Sequence, residues 1–202
     1  MLDKIKSFLK LQSIQDELLD NNLEEVYRLW TRQGGDTKDL TTFFIMNNID
    51  PLNYMSFVYE AMYKNLNCKN LDLSQYSIDM IGSQAFENNT SLRNLNLGNV
   101  KYIGTVAFSG CTSLENFTIT SSVDSIDEDA FSYCLLQELH IPKTVRRLGI
   151  KCFAHNPVRK VTTEHSMYDF KKVCNNAVDY VFFNCNNLDE IECSDGTITI
   201  HH

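Results

Sequence analysis

Apolar residues recur along this chain with two different periods. Up to about residue 65 the step is three or four. Ile14, Leu18, Leu19, Leu23, Val26, Tyr27 and Trp30 follow it, which lines one face of a helix. Asp20-Asn21-Asn22 interrupts the run. Asn22 suits the cap of a new helix and Glu25, three residues on, suits a capping box. Gly34-Gly35 ends that helix. Asp50-Pro51 predicts another start, with Asp as N-cap and Pro at the first helical position. The helix would run from Leu52 to about Lys64. Its Tyr54, Met55, Phe57, Val58, Tyr59, Met62 and Tyr63 make it apolar nearly all round, so it should be covered on more than one side. The stretch 41–46 also reads as helix.

After about Asn67 the period lengthens to a whole repeat. Ile81-Gly82-Ser83-Gln84-Ala85-Phe86 aligns with Ile103-Gly104-Thr105-Val106-Ala107-Phe108, with Ile126-Asp127-Glu128-Asp129-Ala130-Phe131 and with Leu148-Gly149-Ile150-Lys151-Cys152-Phe153. The Phe spacings are 22, 23 and 22. Each unit continues to a leucine and a short alternating tail, as in Leu92 to Leu97, Leu114 to Ile119 and Leu136 to Ile141. Val158 to Val161 is a weaker copy, and Leu188 to Cys193 closes the series. A fifth motif Phe, Phe182, lies 29 residues after Phe153, so about seven residues are inserted near 162–176. Met167 to Val173 in that insert suits a short helix. Such insertions map to loops on one face of a repeat stack.

The unit I-G-x-x-A-F, then C or N, T-S-L, L/F-x-I and P-x-x-V resembles the BspA-like leucine-rich repeat, best in Ile103 to Val123 and Ile126 to Val145. The resemblance, which does not extend to the N-terminal region, implies a short right-handed solenoid of four to five coils over 67–202; the helical period over 1–66 adds an all-α region expected to cap the open end of the stack, an α+β chain in all. The residues support this independently, because one coil cannot bury its apolar face alone and stacked copies bury it together. Ile103, Ala107, Phe108, Leu114, Phe117, Ile119 and Val123 would point inward from one coil. The fourth copy has Cys152 in place of Ala and lacks the following leucine, and the fifth lacks the Gly. The stack is therefore expected to distort toward its C-terminal end.

Composition narrows the function. The chain has 202 residues, 43% hydrophobic and 22% charged, with a net charge of −8, ordinary for a globular protein. An acidic balance argues against nucleic acid as partner. No run approaches 18 apolar residues, and charges break every N-terminal apolar cluster, so neither a membrane span nor a signal-peptide core is expected. Seven cysteines without paired spacing suit thiols in a reducing cytoplasm.

Chemistry-bearing patterns are scarce. Asn89, Cys111, Cys134, Asn156 and Cys185 each lie three residues after a motif Phe. They read as small side chains turning each coil, since zinc needs four ligands close together. His140, His155 and His165 share no catalytic or metal-ligand spacing. No nucleophile elbow, zincin, phosphate-loop or dinucleotide motif occurs. No catalytic residue, metal ligand or cofactor is expected, and the terminal His201-His202 is given no role. Lys143, Arg146, Arg147, Lys151, Arg159 and Lys160 form a basic segment without an acidic residue between Glu138 and Glu164, and two adjacent coils would place them as one basic patch. Asp124, Asp127, Glu128 and Asp129 form an acidic one a coil earlier. The outward tail positions, among them Asn94, Asn116, Glu138, His140 and Lys160, are polar and varied.

These features point to a non-enzymatic module that recognises a protein, as adaptor or inhibitor. The basic segment with Glu138 and His140 is the expected contact. Repeats of this type also occur in small phage accessory proteins, so inhibition of a host enzyme or defence complex is one alternative. Another is an effector with its chemistry in the N-terminal helices, where Asp36, Asp39 and Glu60 would be the residues to test. Surface adhesion, as in larger family members, is the third. The aromatic-rich N-terminal helices also offer a homodimer surface.

Overall fold

The computed structural model describes residues 30–32, 34–35, 57–58, 69–74, 76 and 78–201. The expected helices over 14–29, 41–46 and most of 52–64 lie outside the described residues, and with them the all-α cap. Two pieces of the N-terminal reading are visible. Residues 30–32 are helical, and the chain leaves the helix at Gly34, whose N–H donates to the Thr31 carbonyl at a φ of +72°. By contrast, Phe57–Val58, expected inside the third helix, is a strand.

Among the described residues the elements run β1 (Phe57–Val58), β2 (Asn70–Asp72), β3 (Met80–Ile81), β4 (Asn94–Asn96), β5 (Tyr102–Ile103), β6 (Asn116–Thr118) and β7 (Ser125–Ile126). They continue with β8 (Glu138–Ile141), β9 (Arg147–Leu148), β10 (Lys160–Thr163), α1 (Met167–Val173), α2 (Val178–Val181), β11 (Glu190–Cys193) and β12 (Gly196–Thr199). The chain winds as a β-solenoid of about four coils, and each coil contributes to three walls.

The first wall is a parallel sheet in the order β1-β3-β5-β7-β9. Phe57 pairs with Met80, Met80 with Tyr102, Tyr102 with Ser125 and Ser125 with Arg147. Phe57 lies one repeat length before Met80, which explains why it is not helical. The repeat period reaches back past Asn67, and a β-branched, aromatic dipeptide suits the edge of a parallel sheet. The second wall is two sheets, β2-β4-β6 and β8-β10-β11-β12, parallel except for the closing β11–β12 hairpin. Its strands alternate exposed and buried residues, so one face packs inward and the other faces solvent.

The third wall is the motif turn itself. The N–H groups of Gln84, Phe86 and Asn88 donate to the carbonyls of Thr105, Ala107 and Ser109, at 2.9, 2.8 and 2.7 Å. The same three steps link Val106, Phe108 and Gly110 to the next coil, and again for Asp129, Phe131 and Tyr133. To aim these donors along the stack, the backbone turns left-handed twice per coil. It does so at Gln84, Val106, Asp129 and Lys151, and again at Asn88, Gly110, Tyr133, His155 and Asn184. The motif glycine has a different cause. A Cβ on Gly104 would lie 2.8 Å from the Ser83 backbone nitrogen, and one on Gly149 2.4 Å from that of Glu128, so the coils pass too closely there for a side chain.

Inside the walls runs a column of stacked rings. Phe86, Phe108, Phe131, Phe153 and Phe182 are fully buried, with centroid separations of 5.0, 5.0, 5.8 and 5.8 Å. Phe182 thus takes its place despite the insertion. Of the residues expected inward, Ile103, Ala107, Phe108, Leu114, Ile119 and Val123 are buried, and Phe117 is half-buried against Phe131 at 4.4 Å. The expected distortion takes a definite form. In the last coil α2 replaces the left-handed turn, and the N–H groups of Tyr180 and Phe182 bond within it, to Ala177 and Val178. Two donors that cross to the next coil elsewhere are thus satisfied locally at the end of the ladder. The helix expected over Met167–Val173 forms as α1, capped by Ser166, whose hydroxyl accepts the Asp169 N–H.

Candidate recognition surface

The positions three residues after each Phe are structural in a specific way. The thiols of Cys111, Cys134 and Cys185 donate to the carbonyls of Phe86, Phe108 and Phe153, one coil back, at 3.3, 3.3 and 3.2 Å. Asn156 Nδ2 donates to the Phe131 carbonyl at 2.8 Å, and its Oδ1 accepts the Leu136 N–H at 3.0 Å. Cys and Asn alternate there because both are short donors. The Asn89 oxygen, like that of Asn156, accepts backbone N–H groups, those of Ser91 and Leu92. Burial pushes the Cys111 and Cys174 thiols up to about 12, and those of Cys134 and Cys152 well above the ordinary range. Such thiols stay protonated and unreactive. Among the described residues, no group of three or more His, Cys, Asp and Glu side chains is placed to hold a metal ion.

The histidines scatter over the fold. His140 lies on the second wall, with Nδ1 2.9 Å from Thr162 Oγ1. His155 lies on the turn wall, stacked 4.1 Å from Tyr133. His165 is buried beside Phe170, and its Nε2 has no hydrogen-bond partner among the described residues.

The basic segment is distributed over several walls and is interlocked with carboxylates. Arg146 Nε lies 3.4 Å from Asp124, Arg147 meets Asp127, and Arg159 lies 3.0 Å from Glu138. The Lys143 backbone N–H donates to Glu164 at 3.1 Å. Lys151 stands on the turn wall with its ammonium 5.5 Å from the Phe183 centroid. The acidic segment expected one coil earlier supplies two of these partners. Offsets of 22 residues for Asp124–Arg146, 20 for Asp127–Arg147 and 21 for Glu138–Arg159, each close to one period, are the signal in the sequence for that pairing.

Glu138, His140 and Lys160 do come together. On the second wall Lys160 is registered against Glu138, and Thr162 against both His140 and Glu192. The same wall begins with an asparagine row, Asn70, Asn94 and Asn116, in which Asn94 Nδ2 donates to Asn70 Oδ1 at 2.7 Å. Beside it run Asp72, Asn96 and Thr118. The Ser74 backbone N–H bonds the Asp72 carboxylate at 2.9 Å and holds its pKa below the ordinary value. These side chains surround a shallow dish of about 460 Å³.

A family profile described as BspA type leucine rich repeat region, in six copies, matches residues 35–160 and 101–202. The chain belongs to the BspA-type leucine-rich repeat family. The match starts before β1 and agrees with the backward reach of the period. A leucine-rich repeat protein from Bacteroides ovatus ATCC 8483 has a similar fold, at a TM-score of 0.54 and 25% identity over 68% of this chain. This chain spans 35% of that protein's length. A leucine rich cell surface protein from Faecalibacterium prausnitzii A2-165 is a weaker likeness, at a TM-score of 0.39 and 19% identity, covering 55% of this chain and 43% of that one. No curated protein matches significantly. No helix among the described residues is long and apolar enough to cross a membrane.

Proposed function

We propose that this BspA-type protein is a non-catalytic recognition module, an adaptor or inhibitor, that binds a protein partner through the outward face of its second wall. One observation carries this reading. The inward positions repeat from coil to coil because stacking demands it, whereas the outward row is free to change and does so from asparagine at Asn70, Asn94 and Asn116 to Glu138 and then Lys160. A face that the fold leaves unconstrained is where a repeat scaffold holds its specificity. The contact centres on Glu138, His140, Arg159 and Lys160, with the neighbouring Lys143, Arg146 and Arg147 steering association.

Charge reversal at Lys160 tests this in the complex isolated from the source organism. Lys160→Glu is expected to weaken the stoichiometric complex at least tenfold, about 1.4 kcal/mol, with an unchanged melting temperature. Unchanged affinity removes this wall from the account.

A further inference from the structure

We propose that the C-terminal end of the solenoid carries a second docking site, for a basic segment of a polypeptide that seats an arginine or lysine side chain there. The site is a hollow of about 270 Å³ lined by Asp179, Tyr180, Phe183, Asn184, Asn186 and Ile200. Two aromatic rings stand open at it, with Tyr180 58% and Phe183 39% exposed. Earlier coils do not share this feature. In the ladder the carbonyl position held by Tyr180 is held by Thr105, Glu128 and Ile150 in earlier coils, and the one held by Phe183 by Ser109, Ser132 and Ala154, none of them aromatic.

The sign of the charge selects the occupant. From residue 173 onward the sequence has Asp179, Asp189, Glu190, Glu192 and Asp195 but neither Lys nor Arg. Asp179 is in the lining itself, and its Oδ1 accepts the His201 N–H at 3.3 Å. Asp189 and Glu190 lie on the strand beside Ile200 and Thr199, the Asp189 carbonyl accepting the Ile200 N–H. A second copy docked through this same end would bring like charge against like. A guanidinium or ammonium instead gains an aromatic face and a carboxylate together. Lys151 already holds its ammonium near Phe183, so the incoming cation is assigned to Tyr180 and Asp179. A polypeptide fits better than a free amine because β12, which leads into the hollow, is paired with β11 and ends its sheet. An extended segment adds to such an edge through its backbone.

The test titrates the full chain with a capped hexa-arginine peptide and with its neutral hexa-citrulline counterpart, followed by backbone amide shifts. The arginine peptide is expected to shift residues 179–186 and 200–201 and to bind about tenfold or more tightly than the citrulline peptide, about 1.4 kcal/mol. Asp179→Asn and Tyr180→Ala each weaken it severalfold. Glu192→Gln, the same charge change on the second wall, leaves it within twofold, and Lys151→Gln strengthens it. Melting temperatures identify any variant that fails to fold, and the isosteric Asp179→Asn carries the test if Tyr180→Ala does. The proposal is overturned if neither peptide binds at millimolar concentration, if Glu192→Gln weakens binding as much as Asp179→Asn, or if the same residues shift on self-association without peptide. The loss of affinity on Lys160→Glu is read in the partner complex and the loss on Asp179→Asn in the peptide titration, so the two sites stand or fall separately.

Discussion

The first coils and the last are built on the same column of rings and differ in almost everything around it. Between Phe86 and Phe131 the rings sit 5.0 Å apart, and the turn wall outside them displays Ser83, Gln84, Thr105 and Ser109. Between Phe131 and Phe182 the separation widens to 5.8 Å, a helix replaces the turn, and the wall displays Tyr133, Ile150, Tyr180 and Phe183. The buried column and its hydrogen-bond ladder specify the fold, and the outside is released to vary. Where it varies toward exposed aromatics, the last coils have gained surface that folding does not require.

The comparison breaks most visibly in the column. Phe108→Ala, in the tight half, is expected to lose about 3–5 kcal/mol, measured by urea unfolding. Phe182→Ala, at the looser end, should fall at the lower limit of that range. Equal losses would mean that the wider spacing has no energetic meaning. Next in size is the buried donor row. Asn156→Ala leaves the Leu136 N–H and the Phe131 carbonyl without their partner and should cost about 1–3 kcal/mol, whereas Cys111→Ala, which removes a weak thiol donor, should cost less in the same assay.

The thiols add a pH dependence with a defined sign. Cys111 and Cys174 have pKa values raised from 9.0 to about 12 by burial, so the folded state favours the protonated form. Their contribution is intact below pH 9 and is lost as pH rises toward 12. By pH 10 each thiol should have cost about 1 kcal/mol, and the melting temperature of Cys111→Ala should fall less steeply above pH 9 than that of the parent protein. The smallest effect separates strain from display. Val106 is a β-branched residue at a φ of 60°, and Val106→Asn should stabilise by about 0.5–1 kcal/mol. Tyr133→Asn removes similar strain at 56° but also the stack on His155, so its net change should be nearer zero.

The repeats were legible because stacking imposes a strict demand at few positions. The Ala-Phe pair, the Gly before it and the Cys or Asn after it each answer one contact between coils, and the same contact recurs at every turn. Phe182 could be placed across a 29-residue interval for the same reason. Phe57–Val58 was misread because its apolar neighbours also fit a helical period. The deciding interaction, pairing with Met80–Ile81, is remote in sequence and shows only as one further repeat length. The basic segment was read as a single field because adjacency along the chain says little about walls. In a solenoid, near neighbours in sequence lie on different faces, while residues about 22 apart become partners, as Asp124 and Arg146 do. The C-terminal hollow left no motif, since its lining is gathered from α2, the residues after it and the end of β12.

The recognition face is tested most directly by a photo-reactive cross-linker placed at His140 and Thr162 on the second wall, with Gln84 and Ser109 on the turn wall as controls, in the protein expressed in its source organism. The account predicts one discrete cross-linked protein from the first two positions and none from the controls. Cross-linking of equal yield at all four, or at the controls alone, would contradict it.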